Sequence, residues 1–277
     1  MDIREWWSQG SREAVGGHHL WVREPVGAGP WCTLLHGFPS SSHDFWKIAP
    51  ALSERWTLLT FDLLGFGASD KPADHDYSIH EQADLVEALW ERHGVASSVV
   101  VAHDYSVSVA QELLARGAPI ERLHLMNGGL YPGIHRPQPA QYALLDPEQG
   151  PQLAAAMNEE LIVASLKPTF AEDYDHGADA REIALSNLEG GVVLHRTIHY
   201  MTDRETHRDR WTGALERTEV PLHFVWGMLD PVSGAHMAEH VRERLPDAPI
   251  VELADVGHWP LLEAPERVAA AILAGAE

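Results

Sequence analysis

Apolar runs that end in turn residues alternate along the chain with stretches of helical periodicity. The six runs are WCTLLHG (31–37), WTLLTFDLLG (56–65), SVVVAHD (98–104), RLHLMNGG (122–129), PLHFVWG (221–227) and PIVELADVG (249–257). In the stretches that follow them, apolar residues recur three or four positions apart, as at Ile79, Ala83, Val86 and Trp90. Unbroken apolar strands that alternate with helices predict an α/β fold with a mostly parallel sheet, covered by helices on both faces.

Local signals mark the ends of one helix and suggest two further strands. Ser78 followed by Glu81 fits a capping box at the start of the helix, and Gly94 fits its end. Two earlier runs, near Trp6–Trp7 and over residues 18–22, are candidates for antiparallel edge strands. With the six apolar runs they predict eight strands.

Residues 130–213 break the alternation of strands and helices. This segment has several prolines near its start, helical stretches and no clear strand. It is predicted to be a helical cap inserted between two strands of a core that comprises residues 1–129 and 214–277. The boundaries are expected near Leu130 and Gly213.

Composition narrows the range of partners. The 277 residues include 41 acidic and 20 basic side chains, which gives a formal net charge of −21. Such a surface repels phosphate backbones and anionic lipid, so neither nucleic acid nor a membrane surface is expected as a partner. No apolar run approaches the roughly 18 residues of a membrane span, and the N-terminus has no long apolar segment. A cytoplasmic monomer or homodimer is expected.

The cysteine and histidine content predicts neither a disulfide nor a metal. The single cysteine, Cys32, lies in an apolar run and is expected to be a small buried hydrophobe. There are 18 histidines, but no HExxH or paired CxxC spacing, so no metal and no cofactor is expected.

The stretch AHDYS (102–106) fits a strand-to-helix turn that presents a nucleophile. Such a turn needs small residues two positions before and two after its centre. With Asp104 at the centre these are Ala102 and Ser106, whereas Ser106 at the centre would place a carboxylate in the crowded position. Aspartate also tolerates a positive φ better than most residues. The spacing of small residues favours Asp104 as the nucleophile. The alternatives are that Ser106 is the nucleophile, or that Asp104 only caps the helix.

Five motifs, in order, resemble those of the α/β-hydrolase fold, in particular the epoxide hydrolases and haloalkane dehalogenases that use an aspartate nucleophile. The motifs are HGFP (36–39), DLLGFGAS (62–69), HD (103–104), WGMLDP (226–231) and GHWP (257–260). The resemblance implies that Asp104 is the nucleophile, Asp230 the acid and His258 the base. It also implies an oxyanion hole formed by the backbone N–H groups of Phe38 and Tyr105.

Two other residues could support His258 in place of Asp230. Asp255 lies three positions before His258, but it lacks the strand-end loop of Asp230. Asn127 follows a strand, where a polar group can sometimes support the histidine.

The nucleophile type determines which bonds can be attacked. An aspartate carboxylate, with a reference pKa near 3.9, is already ionised at pH 7. Its attack on an acyl ester would give an anhydride, whereas attack on a saturated carbon with a strained or good leaving group gives an alkyl ester. An epoxide or a carbon–halogen bond suits this chemistry. Histidine-activated water would then hydrolyse the ester.

Leaving-group contacts favour an epoxide over a halide. The resembling dehalogenases hold the halide with side-chain N–H donors, at positions where this sequence has Tyr105 and Phe38. Epoxide opening needs a proton donor, usually tyrosines of the cap. The resemblance suggests Tyr200, with Tyr142 as its partner ahead of Tyr131 and Tyr174. Trp46, His103 and Trp259 are expected to contact substrate.

The sequence therefore predicts a hydrolase that converts a small apolar-to-amphipathic epoxide to a diol. A haloalkane or haloacid dehalogenase is the first alternative. A serine-type esterase and a non-catalytic binding module of the same fold are the others.

Overall fold

The computed structural model describes residues 1–275, and its centre is a six-stranded parallel sheet. The chain begins with two strands outside it, β1 (Gly10–Val15) and β2 (His18–Arg23), which pair as an antiparallel hairpin. The sheet has the order β4-β3-β5-β6-β7-β8. Its strands are β3 (Trp31–Leu35), β4 (Thr57–Thr60), β5 (Ser98–His103), β6 (Ile120–Met126), β7 (Leu222–Gly227) and β8 (Ile250–Leu253).

The eight strands are therefore divided between two sheets. Isolated antiparallel bridges join Val22 to Phe61 and Val26 to Leu58, so the hairpin lies against the edge of the large sheet beside β4. The run at Trp6–Trp7 is not a strand, and that prediction was wrong. It lies in helix α1 (Ile3–Trp7), which begins where the Asp2 carboxylate accepts a hydrogen bond from the N–H of Glu5.

Helices cover both faces of the sheet. Besides α1, the core helices that precede the insertion are α2 (Ala49–Ser53), α3 (Ile79–His93) and α4 (Ser106–Arg116). Three more core helices follow the insertion. The insertion comprises α5 (Pro139–Leu145), α6 (Gln149–Ala156), α7 (Glu159–Leu166), α8 (Gly177–Leu188), α9 (Leu194–Thr197), α10 (Tyr200–Thr206) and α11 (Arg208–Arg217). The C-terminal helices are α12 (Ala235–Arg244), α13 (Pro260–Glu263) and α14 (Pro265–Ala274). Short 3₁₀ helices cover Ser42–Phe45 and Lys167–Thr169.

Alternation along the strands produces two apolar cores, one on each face. In β5, Val99 and Val101 pack with residues of α2 and α14, whereas Val100 and Ala102 pack with residues of α3, α4 and α12. Successive side chains of a strand point to opposite faces, so a continuous apolar run is buried twice.

The segment between β6 and β7 is helical, and no strand occurs among its residues, all of which the structure describes. Its helices α7 and α8 form a small apolar cluster with Trp259 and Leu262. The expected boundary at Gly213 falls inside α11, which continues to Arg217. This helix packs on α4, where Trp211 donates a hydrogen bond to the buried carboxylate of Glu112, 2.8 Å away.

Candidate active site

Asp104 stands at the turn between β5 and α4, at the carboxyl end of the central strand. Its φ is +48°, in the left-handed region, and its side chain is buried. The flanking small residues Ala102 and Ser106 are fully buried. The hydroxyl of Ser106 donates to the backbone oxygen of His36, so this serine fastens the neighbouring loop. The turn has the geometry that the sequence predicts for an aspartate at its centre.

A histidine and a second aspartate lie beside Asp104. His258 Nε2 is 3.9 Å from Asp104 Oδ1, and His258 Nδ1 is 2.8 Å from Asp230 Oδ2. All three side chains are buried. The structure thus brings the three residues together in the order carboxylate, imidazole, carboxylate. The alternative acid, Asp255, lies on the surface and pairs with Arg267.

Asp230 is held by a set of donors besides the histidine. It accepts from Asn127 Nδ2 at 3.0 Å, from the Ser233 hydroxyl at 3.0 Å and from the backbone N–H of Val232 at 2.8 Å. Asn127 is itself fixed by two hydrogen bonds with the backbone of Gly227, one given and one received. These contacts set the direction of the carboxylate that faces the imidazole.

Asp230 and His258 each shift the pKa of the other. Burial alone raises the pKa of Asp230, but the charge and hydrogen bond of His258, with the donors Asn127 and Val232, bring that pKa below its usual range. Burial lowers the pKa of His258, yet the charge and hydrogen bond of Asp230 and the charge of Asp104 raise it to about 9. The imidazolium form is therefore favoured while Asp104 carries its negative charge.

A backbone N–H group faces the Asp104 carboxylate from the loop after β3. The N–H of Phe38 donates to Asp104 Oδ2 at 2.9 Å. The loop approaches closely because Gly37 has no side chain: a Cβ there would lie 2.9 Å from His103 Nδ1 and 3.0 Å from Asp104 Cβ. Tyr105 occupies the N-cap of α4, where backbone N–H groups have no partner within the helix.

A cavity of about 90 Å³ opens beside Asp104 and His258. Most of its lining is apolar, and most of it comes from the helical insertion. From the core come Phe38, Pro39, Asp104, Val232, His258 and Trp259, and from the insertion Gln138, Ala140, Gln141, Leu144, Met157, Ile162, Ser165, Leu166, Thr169 and Leu194. An apolar cavity with few polar groups suits a small apolar ligand.

Tyr200 does not line this cavity but contacts residues around the turn that holds Asp104. Its fully buried ring packs against Phe38 and Tyr105, with centroids 5.7 and 5.0 Å apart. Its hydroxyl accepts a hydrogen bond from Nε2 of Gln141, 3.3 Å away, and Gln141 lines the cavity. Burial, with the nearby charge of Asp104, raises the pKa of Tyr200, so the phenol keeps its proton at neutral pH.

The predicted role of Tyr142 is wrong. Its side chain is 58% exposed and lies in an outer groove with Met201 and Glu205. Helix α5 turns Gln141 and Leu144 towards the cavity, and the next side chain along from Gln141 points away from it.

The other candidate tyrosines have different surroundings. The ring of Tyr131 packs on His240, and the Tyr174 hydroxyl bonds to Asp179 and to the backbone oxygen of Leu262.

Of the three predicted substrate contacts, only Trp259 lines the cavity. His103 is fully buried behind the site, with Nε2 2.8 Å from the backbone oxygen of His258, and burial followed by the charge of His258 lowers its pKa to about 4. Trp46 stacks on His43 and lies near the ammonium of Lys47, outside the cavity lining. Both predictions were wrong because a position next to a motif does not fix where the side chain points.

Two residues of the insertion contact the site without any sequence signal. Arg204 is 2% exposed and donates through Nη2 to the backbone oxygen of Asp104, 2.9 Å away, and through Nε to the Ser108 hydroxyl, 2.6 Å away. Thr169 accepts hydrogen bonds from the N–H of His258 and from the indole N–H of Trp259, both at 2.8 Å. A polar residue in a charged helical stretch normally indicates a solvated surface, so the pattern alone hides these contacts.

Comparison with known proteins identifies the family of the chain. Residues 34–271 match the family described as the alpha/beta hydrolase family. The chain is 36% identical over 281 residues to the LipZ protein of Mycobacterium tuberculosis, with 98% of this chain and 96% of that protein covered. It is 36% identical over 287 residues to the human mesoderm-specific transcript homolog protein, with 95% and 84% covered.

Solved structures with the same fold include enzymes with two activities. The haloalkane dehalogenase DbeA from Bradyrhizobium elkani superposes with a TM-score of 0.76 at 23% identity, with 96% of each chain covered. A mutant epoxide hydrolase from Bacillus megaterium superposes with a TM-score of 0.73 at 20% identity, with 96% of this chain and 99% of that chain covered. At these identities the similarity shows the fold.

Proposed function

The chain belongs to the alpha/beta hydrolase family, and we propose that it hydrolyses small epoxides to diols through a covalent ester on Asp104. The observation that carries the proposal is the position of the Asp104 carboxylate. It faces an apolar cavity, accepts the N–H of Phe38 at 2.9 Å and lies 3.9 Å from His258 Nε2. In this proposal the helices between β6 and β7 are the cap that encloses the substrate.

The first proposed step forms the ester. A carboxylate oxygen of Asp104 attacks a ring carbon of the epoxide, and the electron pair of the broken C–O bond moves to the ring oxygen. That oxygen takes the phenolic proton of Tyr200, whose hydroxyl already accepts from Gln141 and whose own proton is therefore free to be donated. A small rotation of the buried Tyr200 ring towards the cavity completes the contact.

The second proposed step hydrolyses the ester. Once Asp104 is esterified its negative charge is gone, so the pKa of His258 falls from about 9. The imidazolium then gives its extra proton to the Tyr200 phenolate, and the neutral imidazole can act as a base. It takes a proton from water, and the hydroxide adds to the carboxyl carbon of Asp104. The oxyanion is held by the N–H groups of Phe38 and Tyr105.

Collapse of the tetrahedral species then completes the cycle. The alkoxide of the diol leaves and takes the proton from His258. The proton that remains on the Asp104 carboxyl passes to His258, which restores the starting carboxylate and imidazolium, so epoxide and water are converted to diol without other reactants.

The side chains around the cavity favour an epoxide over a halogenated compound as the substrate. A halide needs side-chain N–H donors, but Phe38 has none and the indole N–H of Trp259 is bonded to Thr169. The lining amides are those of Gln138 and Gln141, and Gln141 already donates to the Tyr200 hydroxyl. The mostly apolar lining favours an epoxide that carries an apolar substituent.

The test compares two substrates and a nucleophile variant. The protein is incubated with propylene or styrene oxide and, separately, with 1,2-dibromoethane, while diol formation and bromide release are measured. We expect diol from the epoxides, little bromide, and loss of both in Asp104→Ala, with folding checked by circular dichroism. Bromide without diol would show a dehalogenase. Silence on both substrates, or full activity in Asp104→Ala, would overturn the proposal.

A further inference from the structure

Outside the Asp104 cavity, two histidines and a glutamate converge where three elements meet. His18 is the first residue of β2, His75 lies in the loop that follows β4, and Glu81 is in the first turn of α3. Among residues 1–275, these form the group of three whose histidine and carboxylate donor atoms lie within 4.8 Å of one another. We propose that they bind one divalent transition-metal ion of the zinc class through two imidazole nitrogens and a carboxylate.

The donor atoms lie close enough together to reach one ion. With metal–ligand bonds of about 2.0–2.2 Å, ligand atoms of a tetrahedral site lie roughly 3.4 Å apart. His18 Nε2 and Glu81 Oε1, at 3.5 Å, already have this spacing. His75 Nε2 and Glu81 Oε2 are hydrogen-bonded at 2.7 Å, so this pair would separate by about 0.7 Å around an ion. The two imidazole rings are 5.1 Å apart and at 74° to each other, so their Nε2 atoms can point at one ion from different directions.

The side chain of Glu81 does not make the capping contact that the local sequence predicts. Ser78 and Glu81 fit a capping box, in which the glutamate would accept the N–H of Ser78. Only half of the box forms: the Ser78 hydroxyl accepts from the N–H of Glu81 at 3.1 Å. The carboxylate instead faces His18 and His75. The helix is thus capped by Ser78 alone, and the acid is available as a ligand.

The loop that carries His75 is held in place by its neighbours. Tyr77 has a φ of +50°, which is unfavourable for a bulky residue, and its buried side chain donates to the backbone oxygen of Pro72 at 2.6 Å. The ring of His75 packs edge-on against that of Tyr77, with centroids 4.9 Å apart. This contact orients the imidazole before any ion binds, which reduces the ordering that binding requires.

The donor set and the location indicate the ion class and its effect. Imidazole nitrogens suit zinc and similar transition metals, whereas magnesium and calcium prefer oxygen ligands. Side-chain exposures of 21%, 26% and 27% for His18, His75 and Glu81 leave an entry path from solvent. The ion would tie the β1–β2 hairpin to the loop and to α3, so binding would stabilise the folded chain. Three protein ligands leave a fourth position for water.

The experiment uses the full chain after treatment with EDTA and removal of the chelator. Zinc chloride is titrated by calorimetry, and the midpoint of thermal unfolding is followed with zinc and with magnesium. We expect one zinc per chain and a higher unfolding midpoint with zinc only. His18→Gln and His75→Gln should each weaken zinc binding at least tenfold, whereas the matched control His19→Gln should not, because His19 faces Asp70.

Cobalt absorption provides a second readout that does not depend on stability. Bound Co²⁺ in the wild type should give the intense visible bands of a four-coordinate site, and Glu81→Gln should lose them while keeping the Ser78 cap. Absence of stoichiometric zinc binding would overturn the proposal. Equal affinity in the wild type, His18→Gln and His75→Gln would do so as well.

Discussion

Arg204 Nη2 donates a hydrogen bond to the backbone oxygen of Asp104 across a distance of 2.9 Å. This contact links α10 of the helical insertion to the turn that holds the carboxylate. The same guanidinium bonds to the Ser108 hydroxyl and lies 4.5 Å from the centre of the Tyr200 ring. The buried guanidinium of Arg204 therefore contacts the turn between β5 and α4, the first turn of α4 and the proposed proton donor Tyr200.

Replacing this cation should loosen the turn. In Arg204→Met the Asp104 oxygen and the Ser108 hydroxyl lose their donor, and each hydrogen bond to a charged group contributes about 1.5–3 kcal/mol. The free energy of unfolding in urea should fall by about 3–6 kcal/mol, with a loss of epoxide turnover. Arg208→Met is the control, since Arg208 pairs with Glu205 on the surface, and it should change stability by less than about 0.5 kcal/mol. Equal losses in the two variants would contradict the role of Arg204.

Tyr200 and Tyr142 should differ sharply in their effect on epoxide opening. Tyr200→Phe removes the proposed proton donor, and the loss of general acid catalysis should lower kcat/KM for epoxides about 100-fold. Tyr142→Phe alters an exposed side chain in another groove and should leave kcat/KM unchanged. Steady-state diol formation by both variants checks this. A Tyr200→Phe enzyme as active as Tyr142→Phe would assign the proton to another donor.

Asn127 should act on ester hydrolysis through Asp230. In Asn127→Asp the shape is kept, but a second carboxylate replaces the amide that donates to Asp230 at 3.0 Å. His258 would lose its fixed orientation, so we expect hydrolysis of the ester to slow at least tenfold while its formation changes less. Rapid-quench kinetics should then show accumulated alkyl-enzyme. Ser233→Ala, which removes one neutral donor to the same carboxylate, should slow hydrolysis only a few-fold.

The protonation of His258 should appear in the stability of the free protein. Its pKa is about 9 in the folded chain and near 6.5 when unfolded. The folded state therefore binds the extra proton, and the stabilisation is complete below pH 6.5 and disappears as the pH rises through 9. The difference in free energy of unfolding between the wild type and His258→Gln should shrink over this range by on the order of 3 kcal/mol. Urea titrations at pH 6, 7.5 and 9 measure it, and a constant difference would contradict the raised pKa.

The parts of the site that follow from the sequence are those at the carboxyl ends of strands. Asp104, Asp230 and His258 each come directly after an apolar run, and a parallel sheet brings such positions to one edge. Small neighbours at Ala102 and Ser106 fix the centre of the turn. The spacing around Asp104 is a local signal that is visible in one sequence, whereas the roles of Asp230 and His258 come from the resemblance of their motifs to those of a known family.

The contributions of the insertion depend on how short helices pack, which no local pattern encodes. Gln141 and Tyr142 are adjacent, yet one lines the cavity and the other lies in solvent, because α5 presents a single face to the core. Arg204 lies in a charged stretch typical of a surface and is nonetheless buried. Near the N-terminus, Trp6 and Trp7 have the β propensity of aromatic residues, but the Asp2 cap and packing against the core select a helix.

The most direct test of the account is the capture of the ester on Asp104. The His258→Gln variant is mixed with styrene oxide, digested with a protease and analysed by mass spectrometry. Because His258 acts only in hydrolysis, the peptide that contains Asp104 should gain the mass of one epoxide, and the same peptide of the wild type should not retain it. An unmodified Asp104 peptide, or a label on Ser106, would contradict the central claim.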